Sequence, residues 1–184
     1  MAKHDYKTYK TATRKPALPP DELFEKIKRE LIYNPETGKF TRTAHNRYRP
    51  DLEGQEAGSP SSTGHILICI GCCSYLAHRL AWLYTYGRWP NGEIDHINRN
   101  RADNRLANLR EATHRQNNAN KSAYAHCKSG FKGVVFVERT GRYRATIRTS
   151  EGRKHLGYFD SPEEASAAYQ SAAYKFYGEF ACTA

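Results

Sequence analysis

The side chains best suited to chemistry crowd into one stretch: Glu93-Ile94-Asp95-His96-Ile97-Asn98-Arg99-Asn100-Arg101-Ala102-Asp103-Asn104-Arg105-Leu106-Ala107-Asn108-Leu109-Arg110. Asp, Asn and His dominate it, with few apolar residues to bury them. Thr113-His114-Arg115-Gln116-Asn117-Asn118 follows, and Thr113 and Gln116 have capping-box spacing, so a helix is expected to begin there with Asn117 one turn in. An unprotonated imidazole is the best side-chain base near neutral pH, which suits His96. Asp95 offers a hard carboxylate oxygen and Asn117 a hard amide oxygen, so the two can hold one divalent cation. Oxygen donors with open positions favour Mg2+, or Mn2+, over a closed zinc site. His114, on the same helix as Asn117, is either a further nitrogen donor or a group facing solvent or phosphate. Asn98, Asn100 and Asp103 read as Asx residues that satisfy their own backbone.

These residues need a strand bearing Asp95-His96, a polar loop and the helix bearing Asn117 to converge on one pocket. Upstream, residues 1–20 carry Lys3, Lys7, Lys10, Arg14 and Lys15 against Asp5 alone, then Pro16, Pro19 and Pro20, the pattern of a flexible basic arm. Leu23, Phe24, Ile27 and Leu31 have helical spacing. Tyr33 to Phe40 reads as a hairpin around a Pro/Gly turn, and the Gly/Ser/Pro-rich stretch Asp51 to Gly64 as loop. His65 to Ile70 and Ser74 to Ala77 suggest a second hairpin, followed by a helix from Ala77 to Tyr86 with Leu80, Ala81 and Tyr84 on one face. After about residue 129 the pattern becomes three alternating strands (Lys132–Val137, Arg142–Thr149, Arg153–Phe159) and one helix. That helix has Ser161 as cap, Pro162 first, Glu164 completing a capping box, and an apolar stripe of Ala165, Ala168, Tyr169, Ala172, Ala173 and Phe176.

The 184 residues carry 29 Lys plus Arg against 19 Asp plus Glu, a net +10, which points to a polyanionic partner. The longest apolar run, Ile66 to Ile70, is far too short to span a bilayer, and no apolar segment follows the basic first residues, so a membrane or secreted protein is not expected. A cytoplasmic location follows, the host's cytoplasm if the gene is phage-borne. Of five Cys (69, 72, 73, 127, 182), Cys69 and Cys72 have zinc-like spacing, but no second pair matches, so they read as small buried residues of a hairpin.

Asp95-His96, with Asn108 twelve positions after the His and Asn117 nine further on, resembles the HNH (ββα-metal) nuclease motif of homing endonucleases. Ala77-His78-Arg79-Leu80-Ala81-Trp82, Asp103-Asn104-Arg105 and Asn108-Leu109-Arg110 resemble the same family, over roughly residues 30–120. The resemblance implies a metal-dependent DNA endonuclease in which His96 activates water and Asp95 and Asn117 hold the ion. It makes Asn108 a brace that orients the base, with Asn104 doing similar loop work. His78 is then a packing or bracing residue, and Arg79 a phosphate contact.

Ser129-Gly-Phe-Lys-Gly-Val134, Arg142-Tyr-Arg-Ala-Thr-Ile-Arg148, His155-Leu-Gly-Tyr-Phe-Asp160 and Glu163-Glu-Ala-Ser-Ala-Ala-Tyr169 resemble the APETALA-type (ethylene-response-factor) DNA-binding domain. That family lays its sheet into a DNA groove. Alternation independently puts Tyr143, Ala145 and Ile147 toward the helix and Arg142, Arg144, Thr146 and Arg148 on the other face, joined by Arg153 and His155. Val135 and Tyr143 depart from the plant pattern, so no base preference carries over. The expected protein is α+β: a basic arm (1–20), an HNH ββα-metal core (21–122), a linker (123–128) and a DNA-binding module of three antiparallel strands and one helix (129–184). Its partner is double-stranded DNA. One metal pocket per chain implies that a monomer nicks and that two-strand cleavage needs a dimer, so a monomer or weak dimer is expected. The rival is a non-cleaving, sequence-specific DNA-binding regulator with a degenerate nuclease fold.

Overall fold

The computed structural model describes residues 19–43, 50–71, 73–123 and 127–182. The basic arm lies almost wholly outside them, as do Cys72 and part of the 123–128 segment. Four helices and several small sheets form a mixed α+β fold in two compact units, residues 1–111 and 112–184. Among the described residues no helix is long and apolar enough to cross a membrane.

In the first unit, α1 (Pro20–Glu30) starts on a proline, with Asp21 and Glu22 in its first turn and Lys28 and Arg29 in its last, so its charges match the helix dipole. Leu23 and Ile27 face the core. Leu31, expected as the next apolar helix position, instead opens strand β1 (Leu31–Asn34) and is buried there. β1 pairs antiparallel with β2 (Lys39–Arg42), and Asn34 Oδ1 accepts from the Glu36 and Thr37 amides at 2.9 and 3.2 Å to shape the turn.

The stretch from Asp51 to Gly64 is not wholly loop. A 3-10 turn at Pro50–Leu52 leads into β3 (Glu56–Ala57), which pairs with β2, and β4 (Ser59–Pro60), which pairs with β5 (Ile66–Ile70). Two-residue pairings are too short for alternation to show, and burial of Ala57 against the core holds β3 in place. β6 (Cys73–Leu76) completes the second hairpin, burying Cys73 but leaving Cys69 exposed, contrary to expectation, because Cys69 sits on the outward side of β5. α2 (Ala77–Tyr86) follows directly. It is buried around more than the expected face, with His78, Trp82 and Leu83 enclosed beside Leu80 and Ala81, because it packs against β5, β6 and α1. β7 (Glu93–His96) and β8 (Leu109–Ala112) form a two-stranded sheet.

In the second unit, α3 (His114–Asn120) begins with the expected capping box: Thr113 accepts from the Gln116 amide and the Gln116 side chain reaches back. Ala112 and Ala119 bury against Phe180, which places α3 with the C-terminal unit and the compactness division ahead of the 123–128 segment. Lys132 Nζ donates to the carbonyls of Asn118, Ala119 and Lys121 at 3.1, 2.6 and 2.5 Å, holding the end of α3. β9 (Val134–Val137), β10 (Arg142–Thr149) and β11 (Gly152–Phe159) form an antiparallel sheet in the order β11-β10-β9, and α4 (Pro162–Tyr177) packs on it. Val134, Ala145 and Ala165 form one cluster, and Ile147, Tyr169 and Ala173 a second. Phe176, expected in the apolar stripe, is exposed and stands 5.0 Å from Lys154 Nζ, since the buried rows of α4 end at Ala173.

The β1–β2 turn presses on the polar loop ahead of β8. Gly38 has φ +72°, and a Cβ there would lie 2.3 Å from the Arg105 amide nitrogen and 2.5 Å from the Asn104 carbonyl carbon. Gly54 has a similar φ of +74° with nothing near its Cβ position. Alanine at either site should cost about 1–2 kcal/mol for the left-handed backbone. Gly38→Ala should cost roughly 1–3 kcal/mol more, or beyond, for displacing packed backbone. Urea unfolding of the two variants measures the difference; equal losses would show that the close approach contributes nothing.

Candidate active site

β7 inserts two polar side chains into the interior: Asp95 is 3% exposed and His96 5%. Arg110 of β8 answers Asp95, with Nε and Nη2 each 2.9 Å from Oδ2. Asn104 answers His96, its Oδ1 lying 3.3 Å from Nε2. With that oxygen as acceptor, Nε2 carries the proton and the lone pair falls on Nδ1. Tyr33 donates its hydroxyl to the Asn104 carbonyl at 2.7 Å, and burial pushes the Tyr33 pKa up to about 12, so the donor stays neutral.

The loop between β7 and β8 is closed by its own side chains. Asn108 Oδ1 accepts from the Asn98 amide at 2.9 Å, its Nδ2 donates to the Asp103 carbonyl at 2.8 Å, and its backbone carbonyl accepts from Ile97. Asn98 and Asn100 accept from amides two residues on, the Asx pattern expected of them. Asp103 grips Arg105 through both carboxylate oxygens, which holds its pKa down to about 2. Arg99 is the one non-glycine residue with positive φ among the described residues, 65°.

Two further imidazoles stand beside His96. His78, 5% exposed on α2, has its ring centre 4.9 Å from that of His96, and His65, just ahead of β5, lies 5.2 Å from His78 and 5.9 Å from His96. Thr63 Oγ1 is 2.9 Å from His65 Nδ1 and also bonds Ser61. His78 Nδ1 is buried with no hydrogen-bond partner among the described residues. Burial keeps all three rings neutral: first desolvation and then the Arg101 charge push His65 down to about 4, His78 falls well below the ordinary value, and His96 is lowered against the opposing pull of Asn104 and Asp95.

Asp95, His96, Asn104, Asn108 and His78 thus belong to the first unit, whereas Asn117 lies on α3 in the second. Arg79 is half-buried, donates to the Gly92 carbonyl at 3.3 Å and sits 5.6 Å from the Trp89 ring; burial lowers its pKa. Sequence reasoning missed His65, which lies in no motif and has only a glycine before it. It also missed Arg110 as the partner of Asp95, although both residues stand in the quoted stretch.

Residues 75–119 match the model of the HNH endonuclease family. This HNH segment therefore runs from β6 through α3 and contains Asp95, His96, Asn108 and Asn117. The chain is also 33% identical over 106 residues to a protein of Acanthamoeba polyphaga mimivirus described as an uncharacterized HNH endonuclease. The match covers 56% of this chain and 54% of the relative, so the chain spans about half the length of the curated relative it matches. No solved structure matches significantly.

Truncating Arg110 leaves a buried carboxylate without its counter-charge. Arg110→Met should destabilise the protein by about 3–5 kcal/mol, and adding Asp95→Asn should recover much of that loss, because the charge left unpaired is then gone. A double-mutant cycle by urea unfolding checks both; additive losses would mean that the pair is not coupled.

Proposed function

We propose that the chain is a DNA endonuclease that hydrolyses phosphodiester bonds in double-stranded DNA, with His96 as the base. The observation that carries this reading is a buried, neutral imidazole beside a buried carboxylate on β7, inside a segment that matches the HNH endonuclease family. Hydrolysis needs a group that takes a proton from the attacking water, and His96 Nδ1 holds a lone pair when Asn104 accepts from Nε2. Asn108 fixes the loop that carries Asn104, so both act by positioning the imidazole.

The donor chemistry fits a hard divalent ion, Mg2+ or Mn2+: Asp95 supplies a carboxylate and, by the sequence resemblance, Asn117 an amide oxygen. When bound, such an ion supplies counter-charge for the phosphate and the departing oxygen. The hold of Arg110 on Asp95 favours the second reading, a DNA-binding regulator that does not cut, because an arginine already balances the carboxylate.

In both readings the C-terminal sheet serves as the DNA contact, of the APETALA type by resemblance. Arg148 and Arg153 are direct cross-strand partners, as are Thr146 and His155, and Arg144 pairs with the exposed Tyr158. Like charges placed opposite one another destabilise a sheet, a cost that a bound polyanion removes. Arg142 is engaged with Asp160 at 2.7 and 3.1 Å, so it contributes to this face as half of an ion pair.

Plasmid or genomic-fragment DNA incubated with wild type and His96→Ala in Mg2+, then mapped at nick ends, tests the reading. Wild type should cut and His96→Ala should lose at least about 10²-fold in rate while binding DNA equally. Binding by both with cutting by neither would establish the regulator. Since the unprotonated imidazole is the active form and burial lowers its pKa, the acid limb of the rate profile should lie below about pH 6.5. A limb above that value would exclude His96 as the base.

A further inference from the structure

We propose that His65, His78 and His96 form a three-imidazole site for one borderline divalent ion of the Zn2+ class, with a donor set distinct from the oxygen ligands assigned above. One ring nitrogen from each residue lies within 4.8 Å of the others. A tetrahedral Zn2+ about 2.0–2.1 Å from each nitrogen holds its ligands about 3.3 Å apart, so each ring needs to move inward by less than about 1 Å. The three rings come from separate pieces of backbone, the approach to β5, α2 and β7, all packed on one core. His78 brings a buried Nδ1 that has no hydrogen-bond partner among the described residues.

The surroundings also have the form of a ligand site. Imidazoles that bind metals are usually oriented by a bond at the ring's other nitrogen. Thr63 Oγ1 takes that position at His65 Nδ1, 2.9 Å away, with Ser61 behind it, and Asn104 Oδ1 takes it at His96 Nε2, 3.3 Å away. Both imidazoles are thus oriented from one ring nitrogen, as ligand imidazoles are. Three nitrogen ligands leave a fourth position open to water, and imidazole suits Zn2+, Co2+ or Ni2+ far better than Mg2+. A consequence rests on the nuclease reading: because His96 would be both ligand and base, occupancy withdraws the base and Zn2+ inhibits cleavage.

The test uses the full chain, stripped of metal and kept reduced, titrated with Co2+ and then competed with Zn2+. Wild type should bind one Co2+ with the visible spectrum of a tetrahedral ion and without a thiolate charge-transfer band. His65→Ala, at a half-buried position, should raise the dissociation constant at least about tenfold, and Thr63→Val should raise it about tenfold or more, with circular dichroism showing both folded. If His65→Ala fails to fold, Thr63→Val decides. Absence of stoichiometric binding, binding unchanged in the folded variants, or a thiolate band placing the ion on Cys69 or Cys73 would overturn the site. In Mg2+, Zn2+ should suppress wild-type cleavage. A protein that binds one Co2+ as described yet cuts nothing keeps the site and loses the nuclease reading.

Discussion

A carboxylate and an imidazole side by side on a four-residue strand, both cut off from solvent, set the terms for everything around them. Buried polar groups without partners are costly, so β7 is viable only where the rest of the unit delivers a counter-charge to Asp95 and an acceptor or donor to His96. Arg110 arrives from the neighbouring strand and Asn104 from the intervening loop. That loop cannot be floppy, because its geometry fixes Asn104; hence the side-chain bonds of Asn98, Asp103 and Asn108 across it. The β1–β2 hairpin adds an outer support, through the Tyr33 hydroxyl and the bare backbone of Gly38 against the 104–105 peptide. A hairpin some seventy residues upstream in sequence is thus part of how the imidazole is held.

What could be read from the sequence divides along physical lines. The capping box at Thr113 and Gln116, the proline start of α4 and the hairpin turns were legible because each depends on residues within four positions of one another. The C-terminal strands β10 and β11 were legible because eight residues give alternation enough length to show, while the four-residue β9 begins at Val134 rather than Lys132. β3 and β4 were not, since two residues carry no period. The burial of α2 beyond one face was hidden because His78 and Trp82 look polar or amphipathic in a list of residues, and only packing from several sides decides their exposure. The end of the α4 stripe at Ala173 was hidden for the same reason.

The site shows the same division more sharply. Asp95 and His96 announce themselves as neighbours in the chain, and Asn108 by its spacing. His65 joins them through the fold alone: thirty-one residues before His96, it is brought close because β5 and α2 share a core with β7. Arg110, on the strand paired with β7, serves as a buried counter-charge to Asp95, a role that no spacing along the chain displays.

The two ion chemistries proposed around His96 follow from hardness rather than from proximity. Mg2+ dehydrates reluctantly and takes oxygen, so three imidazoles offer it little, while Zn2+ gains far more from nitrogen than from one carboxylate already facing an arginine. Under the two proposals the same imidazole serves as base when the available ion is hard and as ligand when it is borderline. Asn104 orients the ring from Nε2, a contact compatible with either role. The support built around one buried strand would then make the chemistry proposed for the site depend on which ion reaches it.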